Sequence, residues 1–112
     1  MKIGFRVDSS NTIGTGHVHR CLTLAQNFKN KGIGILFLCK NERGNINKKI
    51  YQHGFDILNI PLKKNNNQDA EKTIFYITKY KIDFILIDNS SINLKWEKKV
   101  SNIAKLFYWM II

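Results

Sequence analysis

The chain has 112 residues, 44% of them hydrophobic, enough to bury one modest core and too few for two. Its 18 Lys and Arg against 8 Asp and Glu give a formal net charge of +10, but the lysines are scattered over predicted solvated faces. Without an arginine-rich arm or an aromatic-interleaved basic stripe, that charge argues for attraction of anionic small molecules and against nucleic acid as a partner.

Lys2–Val7 is a β-branched and aromatic run that predicts a first strand. A polar loop follows at residues 8–12, and Gly14-Thr15-Gly16 forms a turn into a helix over residues 17–31. In that helix Cys21, Leu22, Leu24, Ala25 and Phe28 recur at three and four residues and mark an apolar stripe, with Gly32 as the stop. Residues 33–39 are almost continuously apolar, the pattern of a strand covered on both faces and so of a parallel sheet. A shorter helix is predicted at 45–53, with Ile46 and Ile50 inward and Gly54 ending it. Residues 55–60 form a third strand closed by Pro61, and residues 62–67 a polar loop. The helical period resumes over 69–80 through Ala70, Ile74 and Ile77. Residues 82–88 are the most buried-looking strand and end in Asp88. A helix over 93–104 places Leu94, Val100 and Ile103 inward with Trp96 beside them, and residues 105–112 begin a fifth strand.

Alternating strands and helices with short connections predict an α/β fold, a doubly wound Rossmann-like parallel sheet of order 3-2-1-4-5 in one domain, 1–112. No apolar run reaches the roughly 18 residues of a membrane helix, and the strand-like start has no cleavage pattern, so a cytoplasmic protein without a membrane partner is expected. Cys21 and Cys39 lie in apolar patterns without metal-type spacing and read as buried free thiols.

Chemistry concentrates at the first turn. Gly14 and Gly16 permit φ > 0 and close approach of a bound group, and the first N–H groups of the helix favour an anion. His17 lies in the first helical turn, where the macrodipole disfavours an imidazolium and leaves a ring able to accept a proton. The same turn also serves simple chain reversal, and the same histidine could be a partly exposed cap. The dinucleotide fingerprint fails, because His19 stands where its third glycine belongs and Leu38-Cys39-Lys40 offers no acid for a ribose. A Gly-Lys-Ser/Thr phosphate loop is absent as well. Asp88 ends a strand on the same rim, outside the carboxyl ends of the strands, where open parallel sheets bind ligands. Asp8 suits either a sugar hydroxyl or a local turn, and Arg6 and Arg20 either an anion or a carboxylate partner.

Phe5-Arg6-Val7-Asp8, then Ile13-Gly14-Thr15-Gly16-His17 and Arg20-Cys21-Leu22-Thr23-Leu24-Ala25, closely resemble the amino terminus of a known family, the UDP-sugar hydrolases of pseudaminic acid biosynthesis. The likeness extends through Cys39-Lys40, Gly54-Phe55, Gln68-Asp69-Ala70, Ile87-Asp88 and Trp96-Glu97. It implies the amino-terminal half of a GT-B type two-domain enzyme that hydrolyses a UDP-linked diacetamido-trideoxy sugar at the anomeric carbon, with C–O cleavage, inversion, release of UDP and no metal or other cofactor. It further implies His17 as the catalytic base, with Asp8, Gly14, Thr15, Gly16, Arg20 and Asp88 contributing to substrate binding. Two departures stand out. Asn89 follows Asp88 where the family usually has histidine, and the apolar tail 107–112 stands where the family usually continues its fifth strand into an Asp-rich segment, ahead of a second domain that grips UDP. The tail reads as a truncation or an altered reading frame, so little or no turnover is expected of the chain alone, with a separately encoded carboxyl half as a candidate partner. The alternatives are a non-enzymatic binding module and a related nucleotide-sugar transferase.

Overall fold

Five parallel strands lie side by side in the order β3-β2-β1-β4-β5. They are β1 (Lys2–Val7), β2 (Gly34–Lys40), β3 (Asp56–Ile60), β4 (Phe84–Asp88) and β5 (Lys105–Tyr108). Between them run α1 (Gly16–Asn30), α2 (Asn47–Gln52), α3 (Asn66–Tyr80) and α4 (Leu94–Ser101). The computed structural model describes residues 1–62, 65–89 and 91–108. The strand expected beyond Tyr108 and the loop positions 63–64 lie outside the described residues.

The sheet is covered on both sides because successive side chains of each central strand enter different cores. Phe5 and Val7 of β1, Phe37 and Cys39 of β2 and Leu86 of β4 pack with Val18, Cys21, Leu22 and Ala25 of α1 and Ile50 of α2. Leu38, Leu58, Ile60, Ile85 and Ile87 pack on the other side with Ala70 and Ile77 of α3 and Trp96 and Val100 of α4. Phe5 and Phe37 stack at 5.0 Å between ring centroids, tying β1 to β2. Both cysteines are buried free thiols, as expected, and burial pushes both thiols well above the usual range.

Three helix boundaries differ from the periodicity, two of them because a side chain caps the helix. Helix α3 starts at Asn66, ahead of residue 69, because Asn65 accepts from the Gln68 N–H while the Gln68 side chain accepts from the Asn65 N–H. Helix α2 starts later than expected, with Ile46 as its N-cap residue. In α4 the Asn93 side chain accepts from Trp96 N and sets the start at Leu94. The buried face then runs through Trp96 and Val100, four residues apart, and leaves Leu94 62% exposed. The helix has ended before Ile103, which is 50% exposed, so neither residue packs inward as predicted. No helix among the described residues is long and apolar enough to cross a membrane.

Candidate functional site

Val7 of β1 pairs with Asp88 of β4, so two neighbouring strands deliver their last residues to the same edge of the sheet. From β1 the chain enters a pinched loop. Gly14 N–H donates to the Ser10 carbonyl at 2.8 Å, and the Ser10 hydroxyl accepts from Thr12 N and Ile13 N at 3.2 and 2.9 Å. Gly14 has φ +83°, as the turn requires, whereas Gly16 is the first residue of α1 and has no positive φ. The expectation of φ > 0 therefore holds at Gly14 alone, although neither glycine has an atom within 4 Å of where a Cβ would stand. Thr15 is the N-cap without a side-chain cap bond, and no acid occupies the first turn, so no side chain of the helix satisfies its leading N–H groups.

His17, one residue into α1, turns its ring to β4. Its Nδ1 lies 2.6 Å from Asp88 Oδ1. Arg20, one helical turn on, reaches the same carboxylate twice, through Nε to Oδ2 and Nη2 to Oδ1, both at 2.6 Å. Burial alone would raise the Asp88 pKa, but the hydrogen bonds from Arg20 and then His17 outweigh it and hold the carboxyl below its usual range. An ionised carboxylate can only accept, so at 2.6 Å the proton between the pair belongs to His17 Nδ1. Arg20 Nη2, 3.0 Å from that nitrogen, then directs its N–H groups to Asp88. In the neutral ring this leaves the Nε2 lone pair to accept a proton. The side chain of His17 is 32% exposed and that of Asp88 only 4%, so a partly exposed ring stands on a buried anchor.

Beneath this pair lies a second polar group that is wholly internal. Arg6 is fully buried and donates through Nη1 to Asp8 at 2.8 Å and through Nη2 and Nε to Asp69 at 2.7 and 3.2 Å. Asp8 also accepts from Lys40 N and Asn89 Nδ2, each at 2.8 Å, and Asp69 accepts from Trp96 Nε1 at 2.9 Å. Of the two roles read for Arg6, the structure selects carboxylate pairing. Asp8 is 4% exposed, and its contacts tie three strand ends together. The sequence reading missed Asp69 as a buried acceptor. The available signal was its place at i, i+4 and i+8 with Thr73 and Ile77 on the buried face of α3.

The candidate residues thus separate into two groups. Gly14, Thr15, Gly16, His17, Arg20 and Asp88 come together on the rim, and Asp8 sits below it with Arg6. His19 and His53 line a different groove between α1 and α2. Among the described residues no group of three or more His, Cys, Asp and Glu could hold a metal.

The rim is steadied by the β2–α2 loop. Asn11 N donates to Arg43 O at 3.0 Å, and Ile46 N donates to Ser9 Oγ at 2.9 Å. Gly44 has φ +80°, and a Cβ there would run into the Asn11 side chain and backbone nitrogen. Gly44→Ala is expected to lower stability by about 1–2 kcal/mol and to open the loop pair. Urea unfolding and limited proteolysis would read both effects.

Comparison with known proteins bears on the fold. The crystal structure of Acinetobacter baumannii MurG superposes with a TM-score of 0.60 over 99% of this chain and 42% of that one, at 13% identity. The fold is that of a GT-B-type domain. An uncharacterized protein of Methanocaldococcus jannaschii is 33% identical over 106 residues, 94% of this chain. The chain spans 20% of that relative's length. No protein-family profile matches it. In this GT-B-type domain the His17 and Asp88 pair stands at the carboxyl edge between β1 and β4, where the strand order reverses and ligands of doubly wound sheets bind.

Proposed function

We propose that the chain is the catalytic-base half of a nucleotide-sugar hydrolase, acting on a UDP-linked 2,4-diacetamido-2,4,6-trideoxy sugar and releasing UDP. The observation that carries the reading is the 2.6 Å contact of His17 Nδ1 with an Asp88 carboxylate clamped by Arg20. A base that activates water needs a fixed tautomer with its second nitrogen outward, and this arrangement provides one. Water held at Nε2 would lose its proton to the ring as its oxygen attacks the anomeric carbon and the C–O bond to UDP breaks. The leading N–H groups of α1, together with Thr15 and the open space over Gly14 and Gly16, suit the sugar or the phosphate next to it.

Stabilising the departing diphosphate falls in this reading to a second α/β unit, since the chain spans 42% of the MurG chain and 20% of the archaeal relative. The chain alone is expected to turn over slowly or not at all. Mixed with a carboxyl-terminal half from a full-length relative, it should release UDP from the UDP-sugar, and His17→Ala should lower that release by about 10²–10⁴-fold. Release unaffected by His17→Ala would overturn the assignment. A related nucleotide-sugar transferase is the second reading, favoured by the GT-B-type fold. Transfer to an added acceptor in place of water separates the two.

A further inference from the structure

The loop that ends in His17 forms, with its tip, one wall of a cleft that none of the roles above occupies. The cleft has a volume of about 570 Å³ and is lined by Ser10, Asn11, Thr12, Ile13, Glu42, Arg43 and Leu62. It lies between the β1–α1 and β2–α2 loops, which the Asn11 to Arg43 backbone bond holds together. Four residue steps separate Ile13 from His17, a reach of roughly 14 Å at most, so the cleft and the candidate base share one loop.

Its chemistry is mixed in a specific way. Glu42 contributes an acceptor, and its Oε2 is buried with no hydrogen-bond partner among the described residues. A buried polar atom left unsatisfied is costly and gains from any donor that reaches it. Arg43, its neighbour in the wall, is exposed and supplies donors. Ile13 and Leu62 are 40% and 52% exposed and give the cleft an apolar surface. A phosphate would meet Arg43 but be repelled by Glu42, and a plain polyol would leave the two apolar side chains uncovered. An acylamino group carries an N–H, a carbonyl and a methyl in one rigid plane and answers all three.

We infer that this cleft is the subsite for an acylamino substituent of the sugar, with the amide N–H donating to Glu42 after a side-chain rotation, the carbonyl accepting from Arg43 and the methyl resting on Ile13 and Leu62. The inference rests on the nucleotide-sugar reading but is tested apart from turnover. The intact chain, ¹⁵N-labelled, is titrated with N-acetylglucosamine, glucosamine and glucose while the amide signals of residues 10–13 and 42–44 are followed. Saturable shifts are expected with N-acetylglucosamine and not with glucose. Glu42→Ala, which keeps the backbone carbonyl that accepts from Asn45, should weaken them about tenfold, as should the exposed Ile13→Ser. Equal responses to all three sugars, a response to the amino sugar alone, or no saturable shift from N-acetylglucosamine would overturn the subsite. Saturable binding without UDP release in the mixed assay would overturn the hydrolase reading and leave the subsite standing. UDP release unaffected by Glu42→Ala, with no shifts, would do the reverse.

Discussion

Arg6→Leu is expected to destabilise the domain by about 3–5 kcal/mol, a large share of the 5–15 kcal/mol typical of such domains, and to lower Tm by about 10–20 °C. The cause is the state of the partners left behind. Asp8 and Asp69 are 4% and 2% exposed, and the guanidinium they share is fully buried. Removing it strands two carboxylates where water cannot reach them. The pH dependence gives the sign. Burial would raise the Asp69 pKa, but the Arg6 hydrogen bond and charge, then Trp96 and Lys40, hold it below the usual range. In the native chain this contribution is fully present above the unfolded value of about 3.9 and is lost as pH falls through the depressed folded value. In the variant the buried Asp69 favours the protonated form, so acidification relieves it. Urea unfolding curves for the two proteins should therefore converge as pH drops from neutral towards 4. A gap that stayed constant over that range would show that the loss comes from packing alone.

The same arginine shows what the sequence discloses and what it hides. The fold was legible because each cue is local: β-branched runs, helical stripes and glycine stops determine the strand order 3-2-1-4-5 once right-handed crossovers are assumed. The rim was legible because Gly14 to His17 follow the end of β1 and Asp88 ends the neighbouring β4, so topology carries them to one edge. What stayed hidden depends on partners distant in the chain. Arg6 and Asp69 are 63 residues apart, and nothing near either announces that they pair with each other. Asp8 was ambiguous for a related reason: Arg6 is two residues away, but the other donors come from the end of β2 and from Asn89, 81 residues on. Helix ends were misplaced where a single side chain decided them, as Asn65 and Asn93 do, and the inward placement of Leu94 and Ile103 failed with them.

Asp88→Asn tests the rim more sharply than deletion of His17, because it keeps the shape of the side chain and exchanges a carboxylate for an amide. The carboxylate accepts from His17 Nδ1 and from both arms of Arg20. An amide of the same shape carries one acceptor and one donor. With its oxygen held by Arg20, its nitrogen faces His17 Nδ1 and donates to it, so the neutral ring must carry its proton on Nε2 instead. The outward nitrogen then has no lone pair for water. Turnover in the complemented assay should fall by about 10²–10⁴-fold, with kcat affected far more than KM and the thermal stability changed much less than in Arg6→Leu. The ring ¹⁵N shifts of His17 provide a reading independent of activity: Nδ1–H in the native chain and Nε2–H in the variant. If the tautomer switches and turnover does not, His17 is not the base. If neither changes, Arg20 fixes the ring without the carboxylate, and Arg20→Gln should then produce the loss expected here of Asp88→Asn.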